Sequence, residues 1–332
     1  MFTVNTAAPH PIMNVVFHPN GGTFAVAQPN YGVTMLDRMG SIVGTLPIPR
    51  VADYSAMLFT EGGAKLVVAS ARGITVCDTA SGRVLIQRGK DILAGAVLAD
   101  RGEHIISATP QSLRQLRISG GDEPTLSIGA FLLQSKATVI AISPCGRWGF
   151  GVYGRVKPSL LDLMKCRVAM AVDHPYPSEG TTRMPRLAVT FAPNGERFAV
   201  ADGNDVTVFD SPSNLPEEPD DDTDPDNSLL QRATTPIAPK PRAVLEPLSK
   251  LARPSGVNAG EWRPQLAFTP DARGLLIRRP RNRVQLWDVA TSGQLAEWSW
   301  RLDSLTCLAI APDGLTAVAG ARHGRVVVWD LE

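Results

Sequence analysis

An all-β architecture of seven four-stranded antiparallel units is predicted by three observations on this 332-residue chain. A hairpin pattern recurs seven times along the sequence. Each hairpin is followed by a third β-run that closes on an apolar residue and then, in all copies but one, on Asp. In most copies a short fourth run follows the third.

The hairpins read VVFHPNGGTFAVA (15–27), AMLFTEGGAKLVVAS (56–70), GAVLADRGEHIISAT (95–109), VIAISPCGRWGFGVY (139–153), LAVTFAPNGERFAVAD (187–202), PQLAFTPDARGLLIRR (264–279) and LTCLAIAPDGLTAVAG (305–320). Two runs rich in Val, Ile, Phe and Ala flank a turn, which is Pro-Asn-Gly or Pro-Asp-Gly in copies one, five and seven. Pro presets φ and Gly accepts a positive φ, so the chain reverses within a few residues. The apolar residue two before each turn is Phe17, Phe59, Leu98, Ile142, Phe191, Phe268 and Ile310, at separations of 42, 39, 44, 49, 77 and 42 residues. Only the interval of 77 is out of line, and it contains an acidic insert.

The third runs are GVTMLD (32–37), GITVCD (73–78), SLRQLR (112–117), PSLLD (158–162), DVTVFD (205–210), RVQLWD (283–288) and RVVVWD (325–330). Their terminal acids, Asp37, Asp78, Asp162, Asp210, Asp288 and Asp330, are placed to accept backbone N–H groups where the strand exits into a turn. The third copy has Arg117 instead. Fourth runs are SIVGTL (41–46), RVLIQ (83–87), TLSIG (125–129), RVAMAV (167–172), RAVLE (242–246) and QLAEWSW (294–300).

Four strands in roughly 40–45 residues is the period of a β-propeller blade. Trp287-Asp288 and Trp329-Asp330, with the Pro-Asp/Asn-Gly turns, resemble the WD-repeat β-propellers over essentially the whole chain. The family's Gly-His dipeptide is missing from all seven copies, and copies two to four lack the aromatic before Asp, so the blades are expected to rely on apolar packing. The resemblance implies one seven-bladed propeller domain over residues 1–332. Its blades are 12–46, 55–87, 95–129, 138–172, 186–247 with an insert at 211–240, 264–300 and 304–332. The last has three strands, and MFTVN (1–5) has the alternation of a strand without a blade of its own. Pairing of Phe2–Asn5 with Arg325–Trp329 is therefore expected to complete the last blade and close the ring.

Hydrophobic residues make up 44% and charged residues 20% of the chain, which reads as globular, and no run approaches the roughly 18 apolar residues of a membrane span. No secretory signal is read at the N-terminus. Cys77, Cys145, Cys166 and Cys307 follow no metal spacing and are expected to be free thiols in a reducing, cytoplasmic setting. The net charge of +1 hides an asymmetry. SNLPEEPDDDTDPDNS (213–228) carries seven acids and no Lys or Arg, which leaves +8 on the remainder. That segment is expected to serve either as a solvated loop or as a docking element, and residues 213–240 are expected to be dispensable for folding.

Family geometry puts the a–b and c–d connections on one side of the disc and the b–c and d–a connections on the other. The second side gathers cations: Arg278, Arg279, Arg281 and Arg283 from blade six, and Arg322, His323 and Arg325 from blade seven, with Arg72, Arg155 and Lys157 elsewhere on it. Arg offers a planar fork suited to carboxylates and phosphates. Trp298 and Trp300, two apart, share one strand face; they pack between blades, or Trp300 serves as an anchor beside the arginines. Tyr31 and Tyr153 are weaker candidates of that kind. The five histidines do not pair at metal-ligand spacing, and G-x-S-x-G and Walker motifs are absent. The chain is therefore expected to be a monomeric, non-enzymatic scaffold without a cofactor. It is expected to bind protein rather than nucleic acid or membrane, with partners that are acidic or phosphate-bearing. The alternative is a propeller enzyme, hydrolase- or lactonase-like, with its site at the central channel.

Overall fold

The computed structural model describes residues 1–6, 8–48, 54–70, 72–88, 95–99, 104–108, 113–118, 137–153, 156–163, 167–172, 187–202, 205–212, 244–245, 249–251, 265–302 and 304–332. The chain begins with β1 (Phe2–Asn5). Sheet one follows as β2 (Asn14–Phe17), β3 (Thr23–Gln28), β4 (Gly32–Asp37) and β5 (Ile42–Leu46), and sheet two as β6 (Tyr54–Phe59), β7 (Lys65–Ser70), β8 (Gly73–Asp78) and β9 (Val84–Arg88). Sheet three contains β10 (Gly95–Ala99), β11 (His104–Ala108) and β12 (Leu113–Arg117). Sheet four is β13 (Ala137–Ile142), β14 (Trp148–Tyr153), β15 (Val156–Asp162) and β16 (Arg167–Val172). Sheet five opens with β17 (Leu187–Phe191), β18 (Arg197–Asp202) and β19 (Asp205–Asp210), after which come β20 (Val244–Leu245) and β21 (Ser249–Leu251). Sheet six is β22 (Gln265–Phe268), β23 (Gly274–Arg279), β24 (Arg283–Asp288) and β25 (Gln294–Ser299). Sheet seven combines β26 (Leu305–Ile310), β27 (Thr316–Ala321) and β28 (Arg325–Asp330) with β1. Six sheets thus hold four antiparallel strands, and the third shows three among the described residues.

The hairpin turns repeat one geometry. His18 N–H donates to Thr23 O at 2.9 Å, and the corresponding bonds are Ala192 to Arg197 and Ala311 to Thr316, each 2.8 Å. Gly21, Gly195 and Gly314 close these turns at φ of 67°, 73° and 75°, where a Cβ is strained. At the strand exits, Asp37 Oδ1 accepts Ser41 N–H at 2.8 Å, Asp78 Oδ1 accepts Ser81 N–H at 2.7 Å, and Asp288 Oδ1 accepts Thr291 N–H at 2.7 Å. The Ser81 hydroxyl is the main cause of the lowered Asp78 pKa; for Asp288 it is the Thr291 amide. Asp210 instead faces Arg197 at 3.2 Å.

Both faces of the middle strands β3, β4, β7, β8, β23 and β27 are buried, which explains their near-continuous apolar runs. Phe24, Ala25, Val26 and Ala27 in β3 are all 0% exposed. The odd and even positions of that strand serve different neighbours: Ala25 and Ala27 pack with sheet two, whereas Phe24 and Val26 pack with sheet seven. The first strands touch in cyclic order, β2 to β6, β6 to β10, β10 to β13, β13 to β17, β17 to β22, β22 to β26 and β26 back to β2. β1 lies on β28 in antiparallel register, Phe2 opposite Val328 and Asn5 opposite Arg325.

Unit five departs from the sequence reading. The fourth strand against β19 is β21, with Val206 opposite Leu251, whereas Val244–Leu245 runs parallel to β16 as a fifth strand of sheet four. Both segments are short and apolar, so strand pattern alone does not separate them. The pairing is decided by which outer edge each one meets. The expected strand at 125–129 and the insert residues 213–240 lie outside the described residues.

Cys77 and Cys307 are buried free thiols whose pKa is pushed up to about 11 by burial, while Cys145 is exposed. A group at that pKa holds only about one thiolate per thousand at pH 8, and the thiolate is the nucleophile. Iodoacetamide is expected to modify Cys145 in the folded chain and to reach Cys77 and Cys307 only after denaturation. Peptide mapping checks this, and prompt native labelling of either buried thiol contradicts it.

Candidate functional site

Three segments from sheets six and seven meet on one side of the molecule. The first is the β23–β24 turn, Pro280-Arg281-Asn282, with Arg281 and Asn282 at φ of 62° and 58°. The second is the connection from β25 to β26, and the third is the 3-10 turn Arg322–Gly324. Asn282 joins the first two. Its Nδ2 donates to Leu302 O, and its Oδ1 accepts Leu305 N–H at 3.1 Å. Arg322 N–H donates to Ser304 O at 3.1 Å, which joins the second to the third. The connection from β1 to β2 fixes the other flank. Thr6 N–H donates to Gly324 O at 2.7 Å, and the Gln28 amide donates to Ala8 O and His10 O, each at 2.9 Å.

The predicted site residues fall into two groups. Arg281, Arg322 and His323 are exposed, and Arg325 is half-buried. Arg278 and Arg279 are corrections: both lie in β23, not in the loop, at 8% and 1% exposure. The sequence reading counted both with the connection that follows, but they are the last two residues of the strand itself, so each side chain is turned toward a neighbouring sheet. Arg278 donates to Leu305 O of sheet seven. Arg279 Nε donates to Gln285 Oε1 at 2.9 Å on the opposite face, beside the apolar contact with sheet five. Burial pulls both guanidinium pKa values down to about 10, which still leaves them charged at neutral pH. Arg283 is half-buried in β24 and faces Glu297 at 3.4 Å.

Gln285 organises the polar end of that interface. Its Oε1 also accepts Trp287 Nε1–H at 3.1 Å, and its Nε2 donates to Glu297 Oε2 at 2.6 Å. Trp300 is half-buried, 4.8 Å from the Trp329 ring centroid, and its Nε1 donates to Met1 Sδ at 2.9 Å. Trp298 approaches the same ring at 6.0 Å. Trp300 therefore belongs to the packing between sheets six and seven, at the margin of the basic sector. Arg72 is exposed and Tyr31 half-buried; Lys157 lies in β15, Tyr153 in β14, and Arg155 outside the described residues.

The sequence reading missed two residues here. Arg301 is exposed in the β25–β26 connection, and Asn282 holds that connection to the turn. Arg301 directly follows the Trp pair and needed only to be counted, while Asn in a turn with positive φ is a recognisable signal. Arg281, Arg301, Arg322 and Arg325 have no ion-pair partner among the described residues. The sector thus offers several guanidinium groups on a hydrogen-bonded backbone frame. Among the described residues no group of three or more His, Cys, Asp or Glu is placed to hold a metal ion, and no helix is long and apolar enough to cross a membrane.

No protein-family model matches the chain, and no curated protein matches it. Among solved structures it is similar to the β-propeller domain of Myceliophteria thermophila Cps50 (Swd1). The TM-score is 0.73 at 13% identity, over 100% of this chain and 98% of that one. That likeness shows the β-propeller fold. Function has to be argued from the surface, since propellers carry many.

Proposed function

We propose that the chain is a seven-bladed WD-repeat-like scaffold, its ring closed by β1, that binds acidic or phosphate-bearing segments of protein partners on the side bearing Arg281 and Arg322. The observation that carries this reading is the group Arg281, Arg301, Arg322 and Arg325, unpaired among the described residues and carried by three stitched segments. Arginine forks recognise carboxylate and phosphate oxygens two at a time, and a fixed backbone lowers the entropy lost on binding. The closed ring is supported by the cyclic contacts of the first strands and the pairing of β1 with β28. A cytoplasmic monomer without catalysis of its own completes the proposal.

The channel-enzyme alternative has less support. None of the seven first strands, which border one another around the ring, contains Asp, Glu, His, Lys or Arg. The ionisable side chains in these strands are Tyr54 and Cys307, both buried, so acid–base chemistry by carboxylate, imidazole or amine would have to come from elsewhere.

The test is affinity capture from native extract with the wild type and with an Arg281→Glu/Arg301→Glu/Arg322→Glu variant, followed by mass spectrometry. The variant is expected to lose partners bearing acidic or phosphorylated segments, with affinity down at least about tenfold at physiological salt. Its melting temperature should stay unchanged, because all three side chains are exposed. An identical partner set from both proteins overturns the reading.

A further inference from the structure

We propose that the outer edge of β5 is a second docking surface, one that takes an uncharged extended segment of a partner protein as a fifth strand of sheet one and seats an aliphatic side chain over Gly44. The edge is open because β5 is last in the order β2-β3-β4-β5. Its sequence, IVGTL, has no charge, and Ile42 and Val43 are 49% and 56% exposed. Open edges are ordinarily protected by charge or cover. β9 carries Arg88, β21 carries Lys250, β25 carries Glu297, and β16 is covered by β20. Among the described residues, β5 has neither protection.

A cleft of about 310 Å³ lies between β5 and the β8–β9 turn at 79–82. Val43, Gly44, Leu46 and Met35 line one side, Thr79 and Ser81 the other; no Asp, Glu, Lys or Arg contributes, and the ring nitrogens of His18, which also lines it, are already engaged by Asn20 N–H and Gly63 O. Charge complementarity therefore selects a neutral occupant, because a charge placed there would be desolvated without a partner. Gly44 makes the slot. A Cβ built on it meets no atom within 4 Å, so a side chain from outside fits over the middle of the strand. The chain uses the same mode elsewhere: Val244–Leu245 adds to the outer edge of β16, and β1 adds to β28 from the far end of the sequence. Main-chain hydrogen bonds supply affinity in such strand addition, and alternate side chains supply specificity.

The test uses the full chain and a capped nonapeptide of alternating Thr and Val with Leu, Asp or Lys at its centre, read by fluorescence anisotropy and by hydrogen exchange of the β5 amides. The Leu peptide is expected to bind saturably and to slow exchange within Ile42–Leu46 at least about tenfold, which side-chain contact alone would not do. The Asp and Lys peptides should bind at least about tenfold more weakly. Gly44→Leu puts a side chain into the slot, where its Cβ meets no atom within 4 Å, and Val43→Lys puts a charge on the edge. Each is expected to abolish binding at an unchanged melting temperature. No saturable binding of the Leu peptide, binding that survives both substitutions, or β5 protection arising from pairing of two copies without peptide overturns the proposal. The arginine variant used for the basic sector leaves this assay untouched, so the two readings fail separately.

Discussion

Deleting residues 1–7 is expected to destabilise the protein by about 3–5 kcal/mol and to lower its melting temperature by roughly 4–7 °C. The deletion removes β1 and with it the ladder to β28. It also removes Phe2 and Val4 from the apolar cluster that contains Val326 and Val328. Val4 packs directly on Gly40 of sheet one, where a Cβ would lie within 2.9 Å of the Val4 Cβ. β1 therefore joins sheet seven to sheet one as well as completing sheet seven. Without it β28 has an open edge, and the truncated chain should also aggregate on heating. Gly324→Ala tests the same junction by a single substitution. Gly324 sits at φ of 69°, and an added Cβ would overlap the Ala8 carbonyl oxygen and approach Thr6 Oγ1 to 2.6 Å. A loss of about 2 kcal/mol or more is expected from left-handed strain and the clash together. Differential scanning calorimetry reads both variants. A melting temperature unchanged by the deletion would show that β1 contributes nothing to the stability of sheet seven.

Trp329→Ala is expected to cost about 3–5 kcal/mol, whereas Trp329→Phe should cost under about 1.5 kcal/mol. Trp329 is 1% exposed and sits under both Trp298 and Trp300, at centroid distances of 6.0 and 4.8 Å. Truncation to Ala opens a cavity between sheets six and seven that these half-buried rings cannot fill. Phe keeps most of the contact area, and little is lost at the indole nitrogen, because Trp329 Nε1 is buried with no hydrogen-bond partner among the described residues. Trp287 differs: its Nε1 donates to Gln285, so Trp287→Phe takes one donor from an acceptor that Arg279 also uses. Urea unfolding of the Trp329 variants separates the two costs. If Phe proves as damaging as Ala, an unseen polar role for the indole replaces the packing account.

Much of the fold was legible because its signals are local. Pro-Asn-Gly at 19–21 is out of place in the middle of a strand, and the flanking Val, Phe and Ala runs suit a sheet buried on both faces. Asp at a strand exit is equally local, and Asp37, Asp78 and Asp288 each accept a backbone N–H three or four residues on. The candidate site was less legible. Arg281 and Arg322 could be placed on a turn from sequence, but Arg278 and Arg279 look no different there. Their burial depends on how far β23 continues and on what the neighbouring sheets present. Arg279 finds Gln285 on its own sheet and Arg278 finds Leu305 on the next.

The sequence by itself determined the β-class, the recurrence of the hairpin units and the positions of most strands, because turn chemistry and apolar patterning act over a few residues. Only the tertiary structure decided which outer edge each short segment joins, the Val328 register of Phe2, the burial of two of the arginines and the open slot over Gly44. Those depend on contacts between residues tens to hundreds of positions apart. One apolar strand reads like another until the surface it meets selects its register, its edge and the side chains it leaves exposed.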